Sequence, residues 1–91
     1  MKHSEQKRKV ELLYDEYKDY FEREFSNKNI AEGLIMVAVG LALEKTLNTF
    51  IGNDEFVLDD ETERAMFNTI YTAMGDDRAM QYRKRTHENE A

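Results

Sequence analysis

The stretch that decides the fold is "NIAEGLIMVAVGLALEKTLNTFIGN", from Asn29 to Asn53. Its centre, Gly33 to Leu43, is a nearly unbroken apolar run between Glu32 and Glu44 in a chain otherwise rich in charge. The run is too short for a bilayer, which requires about 20 apolar residues. Extending it would place a glutamate in hydrocarbon, at a cost of about 2.5–3.5 kcal/mol each. We therefore expect no membrane partner, and a core or a binding surface remains.

Read as a helix from Ile30 to about Phe50, the segment has two apolar stripes on roughly opposite sides. Asn29 is a suitable N-cap and Gly52 a suitable left-handed C-cap. A helix that is apolar all round must be covered all round. The sequence therefore predicts either the central helix of a tight monomeric bundle or a helix that meets its symmetry mate in a C2 dimer, and the homodimer is favoured. The first stripe is Ile30, Leu34, Val37 and Leu41, and the second is Met36, Val39, Leu43, Leu47 and Phe50.

The predicted dimer interface combines the first stripe with small residues beside it. Two glycines seven residues apart share one face of a helix, and they let another helix backbone come close. The interface residues are Gly33, Leu34, Val37, Gly40 and Leu41.

The rest of the chain is also predicted to be helical. There is no proline, and glycine occurs only 4 times in 91 residues. The first helix is expected from Ser4 to Ser26, with Leu12 exposed on its polar side. Its apolar stripe is mostly aromatic: Val10, Leu13, Tyr14, Tyr17, Tyr20, Phe21 and Phe25.

The third helix is expected to end at Met74, with Gly75 as its stop. Asp60 with Glu63 predicts a capping box at its start. Its predicted core face is Met66, Phe67, Ile70, Tyr71 and Met74. A weaker fourth helix is expected from Asp77 to about Arg85. The sequence thus predicts a single all-α domain over residues 1–91, a small bundle of three main helices plus that fourth, with frayed ends at about 1–4 and 86–91.

The charge of −6 lies in the middle of the chain. Residues 30–75 hold 8 acids and 2 bases, whereas the segments on either side are balanced. The loop before helix three contributes most of these acids: Asp54, Glu55, Asp59, Asp60, Glu61 and Glu63. Helix-capping acids on a solvated loop are the favoured interpretation. The alternative is a partner-binding face that docks on the basic surface of another protein.

Metal and cofactor sites are not expected. As a calcium loop, the acidic segment would place Val57 or Phe56 at a ligand position, and it has no central glycine. His3 and His87 have no third ligand at helical spacing. Glu16 and Asp19 resemble the acidic helices of all-α nucleotide pyrophosphohydrolases, whose magnesium site needs a second acidic pair on a facing helix. Helix two offers only Glu32 and Glu44, twelve apart, and a solvated helix face is therefore favoured over a hydrolase.

The function expected from these observations is non-catalytic binding. We predict a small acidic protein that regulates or inhibits a larger macromolecule, a role common among phage and mobile-element proteins. The acidic loop would steer the encounter, and exposed parts of helix one or helix three would supply apolar contact. The absence of cysteine fits the cytoplasm. The alternative is a nucleic-acid-binding helical module that uses its terminal basic clusters, which are Lys7, Arg8 and Lys9, and Arg83, Lys84 and Arg85.

Overall fold

The computed structural model describes residues 2–75, and over that range the chain is all-α, as predicted. Helix α1 spans Lys2–Glu24 and is followed by a 3-10 turn at Phe25–Asn27. Helix α2 spans Ile30–Gly52, and helix α3 spans Asp60–Met74. Residues 2–4, where the sequence predicts fraying, are helical. The predicted fourth helix and the predicted frayed end at 86–91 lie outside the described residues.

The first compact unit covers residues 1–58, and a second begins at residue 59. The single domain that the sequence predicts stays a prediction. The first unit holds α1, α2 and the segment that follows α2. The second begins with the N-cap of α3. The exposed apolar surface of α2 lies entirely in the first unit.

Helices α1 and α2 form an antiparallel hairpin with a regular seam. The beginning of α1 meets the end of α2, because the rings of His3 and Phe50 lie 5.5 Å apart. Further along, Tyr17 reaches the backbone of Met36. The buried side chains of α1 recur at alternating spacings of four and three, the repeat of two helices packed lengthwise. They are Gln6, Val10, Leu13, Tyr17 and Tyr20.

Within the first unit, α1 covers only one face of α2, whereas the sequence predicts a helix enclosed on all sides by a bundle or by a second copy. Its fully buried residues are Gly33, Met36, Leu43 and Phe50. Three of these belong to the second predicted stripe, so that stripe is the inner one. Gly40 and Leu47 are half-buried and complete the same repeat of threes and fours. The first stripe remains exposed.

The aromatic stripe of α1 is buried in its middle and opens towards its end. Tyr17 and Tyr20 are buried, whereas Tyr14 and Phe21 are half-buried. Phe25 is 43% exposed, although it stacks on Phe21 with ring centroids 4.6 Å apart. Leu12 is exposed, as predicted.

The two ends of α2 are capped in different ways. At the beginning, the Asn29 side chain accepts a 2.9 Å hydrogen bond from the Glu32 amide, which confirms the predicted N-cap. At the other end, the predicted left-handed Gly52 is wrong, because Gly52 is still helical and the cap residue Asn53 is extended, with φ −146°. A side chain from α1 takes over the capping there: Nε2 of His3 lies 3.2 Å from the Phe50 carbonyl and 3.0 Å from that of Asn53. Both partners are acceptors, so Nε2 carries the proton.

The segment after α2 folds back onto α1. A turn opens it, in which the Phe56 amide donates to the Asn53 carbonyl at 3.1 Å. Phe56 then meets Phe50 edge-on, with ring centroids 4.8 Å apart. Finally, the buried Gln6 amide donates to the Leu58 carbonyl and accepts from the Leu58 amide, both at 2.9 Å. This pair of bonds, which we call the Gln6 clamp, satisfies a backbone unit as a neighbouring β-strand would.

Helix α3 begins one residue earlier than the predicted capping box requires. Asp59, not Asp60, is the N-cap, and its side chain accepts from the Thr62 amide at 2.7 Å. Gly75 ends the helix with φ 125°, a conformation that favours glycine, so the predicted stop is confirmed. Of the predicted core face, Phe67, Ile70 and Met74 are buried, whereas Met66 and Tyr71 are half-buried.

Candidate interaction surface

The most conspicuous surface of the first unit is an exposed apolar face on α2, which we call the outer face. Every exposed residue between positions 30 and 42 is apolar except Glu32. Ile30 is 85% exposed, Leu34 66%, and Ile35 and Leu41 60% each. The face extends about 18 Å along the helix. Its members are Ile30, Ala31, Leu34, Ile35, Val37, Ala38, Leu41 and Ala42.

The outer face ends sharply along the helix. From residue 44 onward the same side of α2 carries Glu44, Lys45 and Asn48, all exposed. The apolar surface is therefore confined to the first half of the helix. A solvated helix normally carries polar residues on the side that points away from its core. The first half of α2 departs from that rule, and exposed apolar patches of this kind are often interaction sites.

Two residues of the predicted dimer interface do not belong to the outer face. A Cβ at Gly33 would lie 3.4 Å from Cε2 of Phe25, and one at Gly40 would lie 3.4 Å from Cε1 of Tyr17. Both glycines therefore receive aromatic rings on the inner side of the hairpin: Gly40 receives Tyr17 of α1, and Gly33 receives Phe25 of the 3-10 turn that follows α1. The other three predicted interface residues, Leu34, Val37 and Leu41, are exposed on the outer face.

A groove of about 360 Å³ runs between α1 and the edge of the outer face. Gly40 forms part of its floor, since a glycine leaves room above the Tyr17 ring. Val37 and Leu41 belong to both the groove and the outer face, so the two surfaces are continuous. The rest of the lining comes from Tyr14, Lys18, Phe21, Glu22 and Glu44.

Tyr17 fixes the position of the groove floor. Its hydroxyl donates a buried 2.7 Å hydrogen bond to the Met36 carbonyl. Burial, with a smaller contribution from the neighbouring Tyr20, raises the pKa of Tyr17 from 10.0 to about 12. The phenol thus stays protonated at neutral pH and keeps donating to α2.

The six acidic residues proposed for partner binding are divided between the two units. Asp54 and Glu55 are exposed in the turn after α2. The other four lie at the start of α3, where Asp59 is the N-cap and Asp60, Glu61 and Glu63 form the first turn. Negative charge at the amino end of a helix offsets the helix dipole. These four residues therefore have a structural role, whether or not a partner also uses them.

The basic cluster of the nucleic-acid hypothesis lies along α1. Arg8 and Lys9 are exposed and Lys7 is half-buried. Nη1 of Arg8 lies 3.8 Å from Oε2 of Glu11, so part of this charge is paired within the helix. A cavity of about 530 Å³ lies beside the cluster, and both basic and acidic side chains line it. Its lining residues are His3, Ser4, Lys7, Arg8, Glu11 and Asp54. The second cluster, Arg83–Arg85, lies outside the described residues.

Among residues 2–75, no group of three or more His, Asp or Glu side chains is placed to hold a metal ion. Glu16 is half-buried and Asp19 exposed on α1, and Glu32 and Glu44 are exposed on α2. His3, for which the sequence predicts no role, packs on Phe50 and caps α2. Gln6 was also missed, because a glutamine on an apolar face gives no signal of which distant backbone it will meet.

By length and composition α2 could cross a membrane, because the helix is longer than the central apolar run. Its 23 residues include Glu32, Glu44 and Lys45. One side of it is packed against α1, which contains 7 acidic and 6 basic residues between positions 2 and 24. A spanning α2 would have to leave this hairpin or take α1 into the bilayer, and both are costly.

Comparison of the chain with protein-family models, with curated proteins and with solved structures found no match.

Proposed function

We propose that the chain is a non-catalytic interaction protein that binds another protein through the outer face of α2. The observation that carries the proposal is the unbroken exposed apolar surface from Ile30 to Ala42. Its area is on the order of 500 Å², comparable to the largest patch of a typical monomer, which is often functional. Leaving this many branched side chains in water is unfavourable, and a protein partner would remove that cost.

Regulation or inhibition of a larger protein in the cytoplasm is the role that we infer for such a surface. The face is long and narrow, and this shape suits a helix or a groove on the partner. Asp54 and Glu55 are exposed beyond the other end of α2, and they would steer a basic partner towards the chain before the apolar contact forms. Apolar contact then comes from α2, not from exposed parts of helix one or helix three as the sequence suggested.

The test is affinity purification of the tagged chain from its host, with two matched variants. Leu34→Glu places a charge on the outer face, whereas Ile51→Glu places one at a site of similar exposure, 57%, beyond it. We expect a defined protein to be retained by the wild type and by Ile51→Glu, and to be lost with Leu34→Glu. Circular dichroism of both variants checks that the helices persist.

Equal retention by both variants would place the binding surface elsewhere. Binding to random DNA that weakens steeply with salt would favour the nucleic-acid alternative through Lys7–Lys9 and Arg83–Arg85. Nucleotide hydrolysis abolished by Glu16→Gln and Asp19→Asn would contradict the non-catalytic role.

A further inference from the structure

We propose that the outer face of α2 is covered by the outer face of a second copy of this chain, with the two α2 helices antiparallel across a two-fold axis level with Met36. This inference rests on the proposed function, because it takes the outer face to be a binding surface. The second copy covers that face in the free protein, and the larger partner would have to displace it. Three features of the outer face support this dimer: the order of its large and small side chains, the groove beside it, and its area.

In this register, residue i of one copy lies level with residue 72 − i of the other. Leu34 is then level with Ala38, Leu41 with Ala31, and Ile30 with Ala42. Three of the four layers thus contain one large and one small side chain, and the fourth pairs Ile35 with Val37. In an antiparallel helix pair the two residues of a layer lie side by side, so a large and a small residue fill the space between the helices together.

The same register keeps charged groups out of the contact. Glu44 and Lys45 follow the end of the outer face. They come level with residues 28 and 27 of the partner subunit, respectively, and both of those residues precede its α2. Glu44 then lies close to the amino end of that helix, where a negative charge is favourable. The apolar contact therefore ends where the polar half of α2 begins.

The groove gives the most exposed apolar side chain a place to go. Ile30 of the partner subunit comes level with Ala42, beside Leu41 and on the side of α2 that faces the groove. A branched aliphatic side chain fits a space of about 360 Å³ with an aromatic floor. By symmetry, Ile30 of the first copy enters the groove of its partner, so both ends of the contact are anchored.

The area is sufficient for self-association. Two outer faces of about 500 Å² each bury about 1,000 Å² in total, the lower limit for a specific interface. Contacts of this size are found in weak and transient complexes, so we expect the dimer to dissociate on dilution. The chain's own residues 76–91 offer far less cover, since their apolar side chains are limited to Ala79, Met80, Tyr82 and Ala91. A bilayer surface is disfavoured because the chain is acidic, whereas surface helices of this kind are rich in lysine and arginine.

The first experiment measures the mass of the purified chain by sedimentation equilibrium over a concentration series. We expect two copies at high concentration, with Leu34→Glu raising the dimer Kd more than about 100-fold, because the dimer would bury two unpaired charges. Ile51→Glu, on the same helix but off the outer face, is expected to leave the Kd within about threefold. A wild-type chain that stays single at every concentration overturns the proposal.

The second experiment tests the register by exchanging a large and a small residue of one layer. Leu34→Ala is expected to raise the dimer Kd about 10-fold or more, since it empties two layers, and Ala38→Leu to raise it by overpacking them. The double variant Leu34→Ala with Ala38→Leu restores one large and one small residue in each layer, and its Kd should return to within about threefold of the wild type. Losses that simply add would overturn the register.

The outcomes separate this inference from the proposed function. If the chain is single in solution and Leu34→Glu still abolishes retention of another protein, the dimer is wrong and the binding face stands. If the single chain instead floats with vesicles of neutral lipid and Leu34→Glu does not, both the dimer and the protein-binding function are wrong. A dimer that Leu34→Glu and Ile51→Glu weaken equally places the contact elsewhere and overturns the inference.

Discussion

The two faces of α2 carry the same kinds of side chain, yet only one of them is buried within the chain. The inner face offers Met36, Leu43 and Phe50, and the outer face offers Leu34, Ile35 and Leu41. The inner face has in addition two glycines, which admit the rings of Tyr17 and Phe25. Apolar character alone therefore does not determine which face of α2 packs against α1. The match of small residues with aromatic ones across the hairpin selects it.

The largest expected difference between the two faces is tested by shortening one leucine on each. Leu43→Ala removes a side chain that is 1% exposed, and it should lower the free energy of unfolding by about 3 kcal/mol, because it leaves a cavity in the seam. Leu41→Ala, two residues earlier on the outer face, should cost less than about 1 kcal/mol in dilute solution. Urea unfolding measures both, and equal losses would mean that the two faces are equally packed.

The second largest effect is expected where the inner side is closed by the Gln6 clamp. Gln6→Leu keeps the volume but leaves the Leu58 amide and carbonyl without these partners, so we expect a loss of about 1–3 kcal/mol in the free energy of unfolding. Gln6→Glu keeps the acceptor for the Leu58 amide but places a buried carboxylate against the Leu58 carbonyl, so at neutral pH it should cost at least as much as Gln6→Leu. A Gln6→Leu chain as stable as the wild type would show that water replaces the clamp.

A smaller effect is expected from the hydroxyl of Tyr17. Tyr17→Phe should lower the free energy of unfolding by about 1 kcal/mol at neutral pH, since it removes one buried hydrogen bond. The pKa of Tyr17 is raised to about 12 in the folded chain, so between its ordinary value of 10 and 12 the folded state holds a proton that the unfolded state has released. Stability should therefore fall as the pH rises through that range.

Denaturant midpoints measured from neutral pH to pH 12 test this pH dependence. The decline between pH 10 and 12 should be shallower for Tyr17→Phe than for the wild type, because the variant lacks the phenol whose pKa is raised. Parallel curves for Tyr17→Phe and the wild type would mean that the hydroxyl is not buried in solution.

The smallest effect is expected from adding a methyl group at Gly40, on the inner face of α2. A methyl at Gly40 would lie 3.4 Å from the Tyr17 ring, which is an ordinary contact. Gly40→Ala should therefore stabilise the chain by about 0.5–1 kcal/mol through helix propensity. Thermal unfolding compares Gly40→Ala with the wild type, and a loss of stability would show that the helices are packed more closely than the distance indicates.

Much of the helical framework could be predicted from periodicity and capping residues. The three helices, the Asn29 cap, the Gly75 stop and the exposed Leu12 follow from local rules. Which stripe of α2 faces α1 could not be settled by counting apolar residues, because both stripes are equally apolar. A signal was present in the spacing: Gly33 and Gly40 continue the alternation of Met36, Leu43, Leu47 and Phe50.

Contacts between distant residues were beyond the reach of these rules. His3 and Gln6 meet carbonyls 47 and 52 residues away, and nothing in their neighbourhood indicates those partners. The same limit explains the Gly52 error, since a side chain from α1 caps α2 there. Part of the outer face, in contrast, was visible as the first stripe. Ile35 belonged to neither predicted stripe, and the exposure of the whole face had to come from the structure.

The Gln6 clamp has a consequence for how the chain is made. Its two partners are 52 residues apart, and at about 5–20 residues per second the ribosome adds the second roughly 3 to 10 s after the first. Helices form within microseconds, so the nascent chain builds α1 long before Leu58 exists. Throughout that interval a glutamine destined for burial stays in water. Shortened forms that stop before Leu58 would keep the Gln6 side chain in water permanently. The hairpin is therefore complete only when Leu58 has left the ribosome.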